Sequence, residues 1–346
     1  MSDKIRTILA IESSCDETAA AVIRNGTEVL SSVVSSQIPL HARFGGVVPE
    51  VAARAHVEQI LPVIEQAILE AFGDGDVRDL IKQHVDAIAV TTHPGLIGSL
   101  LVGVNSAKAL AFALNKPLIP VNHLFGHIFS PYLSKNTEIL YPTVSLVVSG
   151  GHTALYLTSA EEIKMISQTR DDAAGEAFDK AAALLNLPYP GGPSISIAAT
   201  KGDYTKYRLP RGLSQKSELD FSFSGLKTAL ADLMKKLEKS GVDLGKEQSN
   251  LAASFQDSVV DSLVTKTIFA ASKYQAKRIA LCGGVAANSE LRNRHQQKAN
   301  EINLELVMPE MQFCTDNAAM IGAAAYRLSL AETRFNWYNV DVERNK

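Results

Sequence analysis

Two periodicities alternate along this chain. In "TILAIESSCDETAAAVI" (7–23) and "TVSLVVSGGHTALYLT" (143–158) a short apolar run leads into a turn of small and polar residues and then into a second apolar run. That pattern predicts strand, tight turn, strand. The two stretches open the two halves of the chain, which predicts a duplicated architecture. Between them, "EVAARAHVEQILPVIEQAILEAF" (50–72) has helical spacing interrupted by Pro62, and "VDAIAVTT" (85–92) reads as a buried strand. "GSLLVGVNSAKALAFALN" (98–115) is a helix rich in small residues, and "PLIPVNH" (117–123) is a short strand. In the second half, "AAGEAFDKAAALLN" (173–186) is helical by propensity and is stopped by Pro188 and Pro190. A long amphipathic helix is predicted over 249–274. Strand, glycine turn and helix follow over 278–292, then an alanine-rich helix over 316–330 and an irregular tail over 331–346. Alternating strands and helices define an α/β protein.

The chain has 346 residues, 46% of them apolar and 21% charged, enough for a large core or two domains. A net charge of −3 supplies no global field toward nucleic acid, so any such contact must come from a local patch. The one basic stretch is 201–240, with nine Lys or Arg against five Asp or Glu; its candidates for an RNA surface are Lys206, Arg208, Arg211, Lys216 and Lys227. Three dispersed cysteines, Cys15, Cys282 and Cys314, with no C-x-x-C, fit a reducing compartment. Strand-like sequence begins within seven residues of the start and no uncharged run of 18 apolar residues occurs. A cytoplasmic protein with no membrane span is therefore expected.

Three glycine-bearing turns fall where an anion can be bound. "SGGHT" (149–153) joins two strands, and Gly150 and Gly151 permit positive φ and close approach of backbone N–H groups. "CGGVAAN" (282–288) and "THPGLIGSLLVG" (92–103) each run from a strand into a helix. A plain turn or tight packing explains any one of them; three together favour a nucleotide site. Neither G-x-x-x-x-G-K-[ST] nor G-x-G-x-x-G is present, which excludes those two phosphate-binding motifs. In "DDAAGEAFDK" (171–180), Glu176 and Asp179 share a helix face, which serves equally as a solvated surface or as a hydrogen-bond acceptor for a hydroxyl.

His123 and His127 lie one helical turn apart in the apolar "VNHLFGHIFSPYL" (121–133). Imidazoles at i and i+4 point the same way and can share an ion, although buried core histidines explain the spacing too. There is no Glu after the first His, so this is not the H-E-x-x-H of a metallopeptidase. Asp316, at a predicted helix start with Thr315 as the expected cap, offers a third ligand or simply a favourable charge at the helix dipole. Two His and one carboxylate with open positions suit Fe(II) or Zn(II).

"AIESSCDETAAAVI", "HARFGGVVPEVAARAHVEQILPVI", "PGLIGSLLVG", "HLFGH", "VVSGGHTALY", "DDAAGEAFDKAAALLNLPYPGGP", "FSFSGLKTAL", "CGGVAANSELR" and "FCTDNAAMIG" occur in this order from about residue 7 to 330. Together they resemble the TsaD family of tRNA N6-adenosine threonylcarbamoyltransferases. The resemblance implies two ribonuclease-H-like lobes of the actin, sugar kinase and heat-shock chaperone superfamily, around a nucleotide cleft. It places the first lobe at 1–141 and the second at 142–346, with a helical insertion about 170–258 and the helix 316–330 packing back on the first lobe. It implies metal ligands His123, His127 and Asp316 for one divalent ion, Fe(II) before Zn(II), with Mg-ATP as a further ligand of the complex. It implies substrate contacts at Val147, Val148, Ser149, Gly150, Gly151, Asp179, Gly192 and Asn288, and no residue as catalytic base. The implied reaction moves threonylcarbamoyl from threonylcarbamoyl-AMP to N6 of the adenosine 3′ of the anticodon in tRNAs reading codons that start with A, with TsaB and TsaE as partners.

The chain departs from the family pattern at His93, where G-P-G-L is common, and at Phe125, where an acidic residue is common. A small-molecule kinase of the same superfamily, using Glu12 and Asp16 for Mg-ATP, is the alternative; it leaves the histidine pair unexplained. A non-catalytic scaffold leaves it unexplained as well.

Overall fold

The computed structural model describes residues 5–135, 137–213, 218–331 and 336–342. They divide into two compact units, one formed by the chain up to Glu138 together with Asp316 onward, the other by Ile139–Thr315. The sequence set the boundary at 141/142.

The first unit is built on β1 (Thr7–Glu12), β2 (Glu17–Arg24), β3 (Glu28–Ser36), β4 (Ala87–His93) and β5 (Leu118–Asn122), in the order β3-β2-β1-β4-β5. β1–β2 and β2–β3 pair antiparallel; β1–β4 and β4–β5 pair parallel. Its helices are α1 (Ile38–Ala42), α2 (Pro49–Phe72), α3 (Val77–His84), α4 (Ile97–Leu114) and α5 (His123–Phe129). The second unit repeats the scheme with β6 (Thr143–Val148), β7 (Thr153–Thr158), β8 (Ile163–Gln168), β9 (Arg278–Cys282) and β10 (Glu305–Val307), in the order β8-β7-β6-β9-β10 and with the same parallel and antiparallel pairs. Between β8 and β9 come α6 (Ala174–Leu184), α7 (Gly191–Ala199), α8 (Ser224–Lys239) and α9 (Leu244–Lys273); α10 (Ser289–Glu301) joins β9 to β10. After β10, α11 (Ala318–Ala331) belongs to the first unit. The duplication read from two hairpins thus extends to all five strands of each sheet.

The third strand of each sheet escaped the sequence pattern. β3 and β8 are sheet edges whose residues are mostly half-buried or exposed, so neither "EVLSSVVSS" nor "IKMISQ" carries a clear apolar period. Conversely, Pro62 does not interrupt α2, which runs unbroken from Pro49 to Phe72. Pro62 lies on the exposed side of the helix.

β1 is buried throughout because both faces of its sheet are covered. Leu9 and Ile11 join the core formed with Ile60, Val63 and Ile64 of α2 and Val104 and Ala107 of α4. Ala10 turns the other way, toward Gly322 of α11. Among the described residues α4 is the one helix long and apolar enough to cross a membrane. Here Leu100, Val104, Ala107 and Ala111 are buried, and Lys108 Nζ donates to the Val340 carbonyl at 2.9 Å. In the second unit, Val144, Leu146 and Val148 of β6 pack with Phe178 of α6 and Phe255 of α9 in one core.

Candidate functional site

β5 delivers the chain into α5, and Asn122 starts that helix: its side chain accepts from the N–H groups of Leu124 and Phe125. His123 and His127 therefore occupy the first and second turns of one face. Both are buried, and their rings meet edge to face at 4.8 Å. α11 crosses α5 at Gly126, where a Cβ would stand 2.8 Å from Ile321 Cδ1. Glycine between the two histidines thus allows the close crossing. That crossing brings the residues just before α11 to the imidazoles.

Asp316 is the residue delivered. Its Oδ1 is 3.4 Å from His123 Nε2 and 3.1 Å from His127 Nε2, and its side chain is 21% exposed. Thr315 was the expected cap; instead Asn317 stands next to the helix and accepts from Met320 N–H, so α11 begins at Ala318. The displacement by two residues leaves Asp316 outside the helix with its carboxylate turned to the histidines rather than engaged as a cap.

The ligand atoms of His123, His127 and Asp316 lie within 4.8 Å of one another. Donors bound at about 2.0–2.2 Å on adjacent positions of one ion stand roughly 3.0–3.5 Å apart, which matches the two imidazole–carboxylate separations. Nε2 of the fully buried His127 faces the Asp316 carboxylate at 3.1 Å, outside good hydrogen-bond geometry. A cation between the two satisfies both groups. The donor set and this contact both fit a divalent transition metal.

Sequence reasoning gave Glu12 only to a kinase reading. In the structure it ends β1, fully buried, with its carboxylate accepting from Ser14 N–H and Thr91 Oγ, both at 2.5 Å, and 3.1 Å from His123 Nδ1. Its signal was a lone carboxylate at the end of the wholly apolar run "ILAI". Burial pushes the Glu12 carboxyl up, but the charge and hydrogen bond of His123 outweigh this and hold it below the ordinary carboxylate range. Burial likewise opposes ionisation of Asp316, and His123 and then His127 bring it well below its usual value. Burial pushes His123 down, while Asp316 and Glu12 raise it well above the usual imidazole range. Nearby Glu17 is pushed up to about 10, first by burial and then by Asp16 and Asp316.

The second unit gathers the other expected residues around the end of β6. Val147 and Val148 are fully buried within the strand, so only their backbone faces the turn. Ser149 N–H donates to the His152 carbonyl at 2.8 Å, and Gly175, in the first turn of α6, donates to the Ser149 carbonyl at 3.2 Å. Gly283 has φ +92°, and a Cβ there would collide with the Val148 carbonyl at 2.4 Å; glycine is required for β9 to turn so close to β6. Gly150 and Gly151 permit positive φ, but neither adopts it. Both are exposed, and a Cβ on either would meet nothing within 4 Å. Asp179 Oδ1 accepts from Gly191 N–H at 2.6 Å at the start of α7, and a Cβ on the adjacent Gly192 would also meet open space. Glu176, its neighbour on the helix, is paired with Lys180 at the surface. Asn288 caps α10 through Leu291 N–H and donates to Gln256 Oε1 at 2.8 Å. Of the basic candidates, Lys206 is paired with Glu247, and Arg211 with Asp257 and Asp261. Arg208 is exposed, Lys227 is half-buried, and Lys216 lies outside the described residues.

Two five-stranded sheets of identical order, each with parallel and antiparallel strands and helical crossovers, define an α/β protein of the actin and sugar kinase class. Solved structures agree on the fold. Full-length HypF in its phosphate- and nucleotide-bound form superposes with a TM-score of 0.60 at 14% identity, over 96% of this chain and 47% of HypF, so the chain spans about half of that protein. Component A of the Acidaminococcus fermentans (R)-2-hydroxyglutaryl-CoA dehydratase gives 0.53 at 14% identity, over 94% and 99%. The profile of the TsaD family, tRNA N6-adenosine threonylcarbamoyltransferase, matches residues 28–323. A protein of that name from Syntrophomonas wolfei is 52% identical over 92% of this chain and 91% of its own length; one from Staphylococcus haemolyticus is 50% identical over 94% and 92%. The chain belongs to the TsaD family.

Proposed function

We propose that this chain is a tRNA N6-adenosine threonylcarbamoyltransferase that takes threonylcarbamoyl from threonylcarbamoyl-AMP and places it on the adenosine 3′ of the anticodon in tRNAs reading codons that start with A. The observation that carries this reading is the convergence of His123, His127 and Asp316, joined by the α5–α11 crossing, in a chain of this family. The site holds one divalent ion, Fe(II) before Zn(II); when bound, it supplies Lewis-acid polarisation and a template for the donor's oxygens.

The reaction forms a bond from N6 to the carbamoyl carbon and breaks the bond from that carbon to the phosphate oxygen. N6 gives up one proton and AMP leaves as an anion. An adenine amine is a poor nucleophile, so positioning carries much of the rate; good attack geometry is worth roughly 7–11 kcal/mol. Gly150 and Gly151 are the proposed phosphate donors, since Ser149 N–H is already committed to His152. Their open surroundings support this: neither packing nor φ demands glycine there, whereas close approach of a ligand to the backbone does. Val147 and Val148 anchor that turn. Asp179, Gly192 and Asn288 hold the AMP portion, Asn288 through the remaining lone pair of the oxygen that caps α10.

The target adenosine lies in a single-stranded loop, reachable without melting a duplex. Arg208 and Lys227, with the exposed Lys235, Lys236 and Lys239 of α8, are the proposed tRNA contacts. Val57 and Leu61 of α2 are 65% and 64% exposed, and with Ile97 and Leu101 of α4 they form an apolar face of the kind that docks a partner. We assign it to TsaB, with TsaE and Mg-ATP completing the complex in the cytoplasm. The test supplies the purified chain and partners with threonylcarbamoyl-AMP and unmodified tRNA, and reads modified adenosine by mass spectrometry. Product that depends on His127 is expected; undiminished product from His127→Ala would overturn the reading.

A further inference from the structure

Glu12 has no place in the proposed ligand set, yet its carboxylate is held from several sides. It is fully buried, at the last position of a strand whose other residues are apolar or a single threonine. One oxygen accepts from Ser14 N–H; the other accepts from Thr91 Oγ and lies 3.1 Å from His123 Nδ1. Ser14 Oγ stands 3.2 Å from the same ring nitrogen. The opposite nitrogen, Nε2, faces Asp316. β1, β4 and the start of α5 thus each contribute one group to a single hydrogen-bonded string that ends on the imidazole edge away from the triad.

We infer that Glu12 is the positioning residue of the metal centre: it accepts the Nδ1 proton of His123, fixes the Nε2-free tautomer and the ring's orientation, and makes the imidazole a stronger ligand. Both Glu12 oxygens already accept, from Ser14 N–H and from Thr91 Oγ, and Nδ1 adds a third donor to the same carboxylate, so the contact places the proton on Nδ1 and leaves the Nε2 lone pair for the ion. Thr91 and Ser14 hold the carboxylate so that it cannot swing in and become a ligand itself. A carboxylate behind a ligating imidazole is a recurring arrangement, and losing it typically weakens metal binding about 10–100-fold. His127 has no such partner, since its Nδ1, on the edge away from Asp316, has no hydrogen bond. The two imidazoles are therefore unequal ligands, and His123 is the one whose orientation is set before the ion arrives.

This inference rests on the metal reading of the triad, and the experiment separates the two. Zn²⁺ affinity is measured by chelator competition for the wild-type chain and for Glu12→Gln, which keeps the shape but loses the charge. The melting temperature of each ion-free protein reports folding. The inference expects Zn²⁺ affinity to fall about 10–100-fold in a variant that melts at a lower temperature than wild type but still unfolds cooperatively without the ion. In the Zn²⁺-loaded wild-type protein, long-range ¹H–¹⁵N correlations of His123 should show a protonated Nδ1; this second readout needs no variant to fold. Equal Zn²⁺ affinity in Glu12→Gln, or a His123 protonated on Nε2, overturns the inference while leaving the triad in place. A wild-type chain that takes up no Zn²⁺ overturns both.

Discussion

The site of the first unit and that of the second are made of different materials. Around His123, His127 and Asp316 the candidate ligand atoms belong to side chains, nearly all buried, and the charges of His123 and Asp316 shift one another. Around Ser149–Gly151 the atoms proposed to meet the donor belong to the backbone, and the side chains are small or absent. The difference teaches where each site is fragile. A side-chain site fails when one residue loses its donor atom, whereas a backbone site fails when an added atom fills the space a ligand needs.

The largest effect should come from His127→Ala. It removes one of three proposed ligands, and we expect ion binding to be lost and tRNA modification to fall by at least about 100-fold, read by metal analysis and product formation. Next comes Gly126→Val. Its Cβ would collide with Ile321, and overpacking of this kind costs about 1–3 kcal/mol. Both melting temperature and ion content should fall, because the crossing that delivers Asp316 is pushed apart. Gly150→Ala sharpens the contrast. Nothing in the protein opposes its Cβ, so melting should stay within about 0.5 kcal/mol of wild type. The Michaelis constant for threonylcarbamoyl-AMP should nevertheless rise about tenfold, since a lost charge-assisted hydrogen bond is worth roughly 1.5–3 kcal/mol.

Acid and base should also divide the sites. Asp316 and Glu12 are held below their ordinary range, so the stability they lend is present above about pH 4 and is lost as pH falls through their lowered values. His123 is held above its ordinary range, so its contribution is present below about pH 6.5 and is lost as pH rises through its raised value. The ion-free triad should therefore stabilise most in the mildly acid window between. A divalent ion needs a neutral imidazole, so the gain in melting temperature on adding Zn²⁺ should grow from pH 6 to pH 8. The last contrast is at Glu17. Its carboxyl is pushed up to about 10, a penalty that grows as pH rises above its unfolded value. Glu17→Gln should raise ion-free melting at pH 8 and leave it unchanged at pH 4.

The same contrast explains what the sequence disclosed. Two histidines four apart can be counted, and the buried strands β1, β4, β6 and β9 announce themselves as apolar runs. Edge strands β3 and β8 do not, because nearly all their residues are only half-buried or exposed. The join between His127 and Asp316 spans most of the chain; from residue types alone it was one option among several, and it depends on Gly126 facing α11. Glu12 looked like a phosphate-site carboxylate because nothing local shows that His123, 111 positions later, will lie beside it. Lys206 and Arg211 looked free because their carboxylate partners sit on α9, some 40–50 positions away.

The most direct measurement is the metal content of the purified chain beside Asp316→Ala, each loaded with one equivalent of Fe(II) without oxygen and then desalted. About one ion per wild-type chain and next to none in the variant is the expected result, since a lost third ligand leaves only the imidazole pair. Equal retention by both proteins would show that the carboxylate before α11 does not share an ion with the histidines, and would contradict the account.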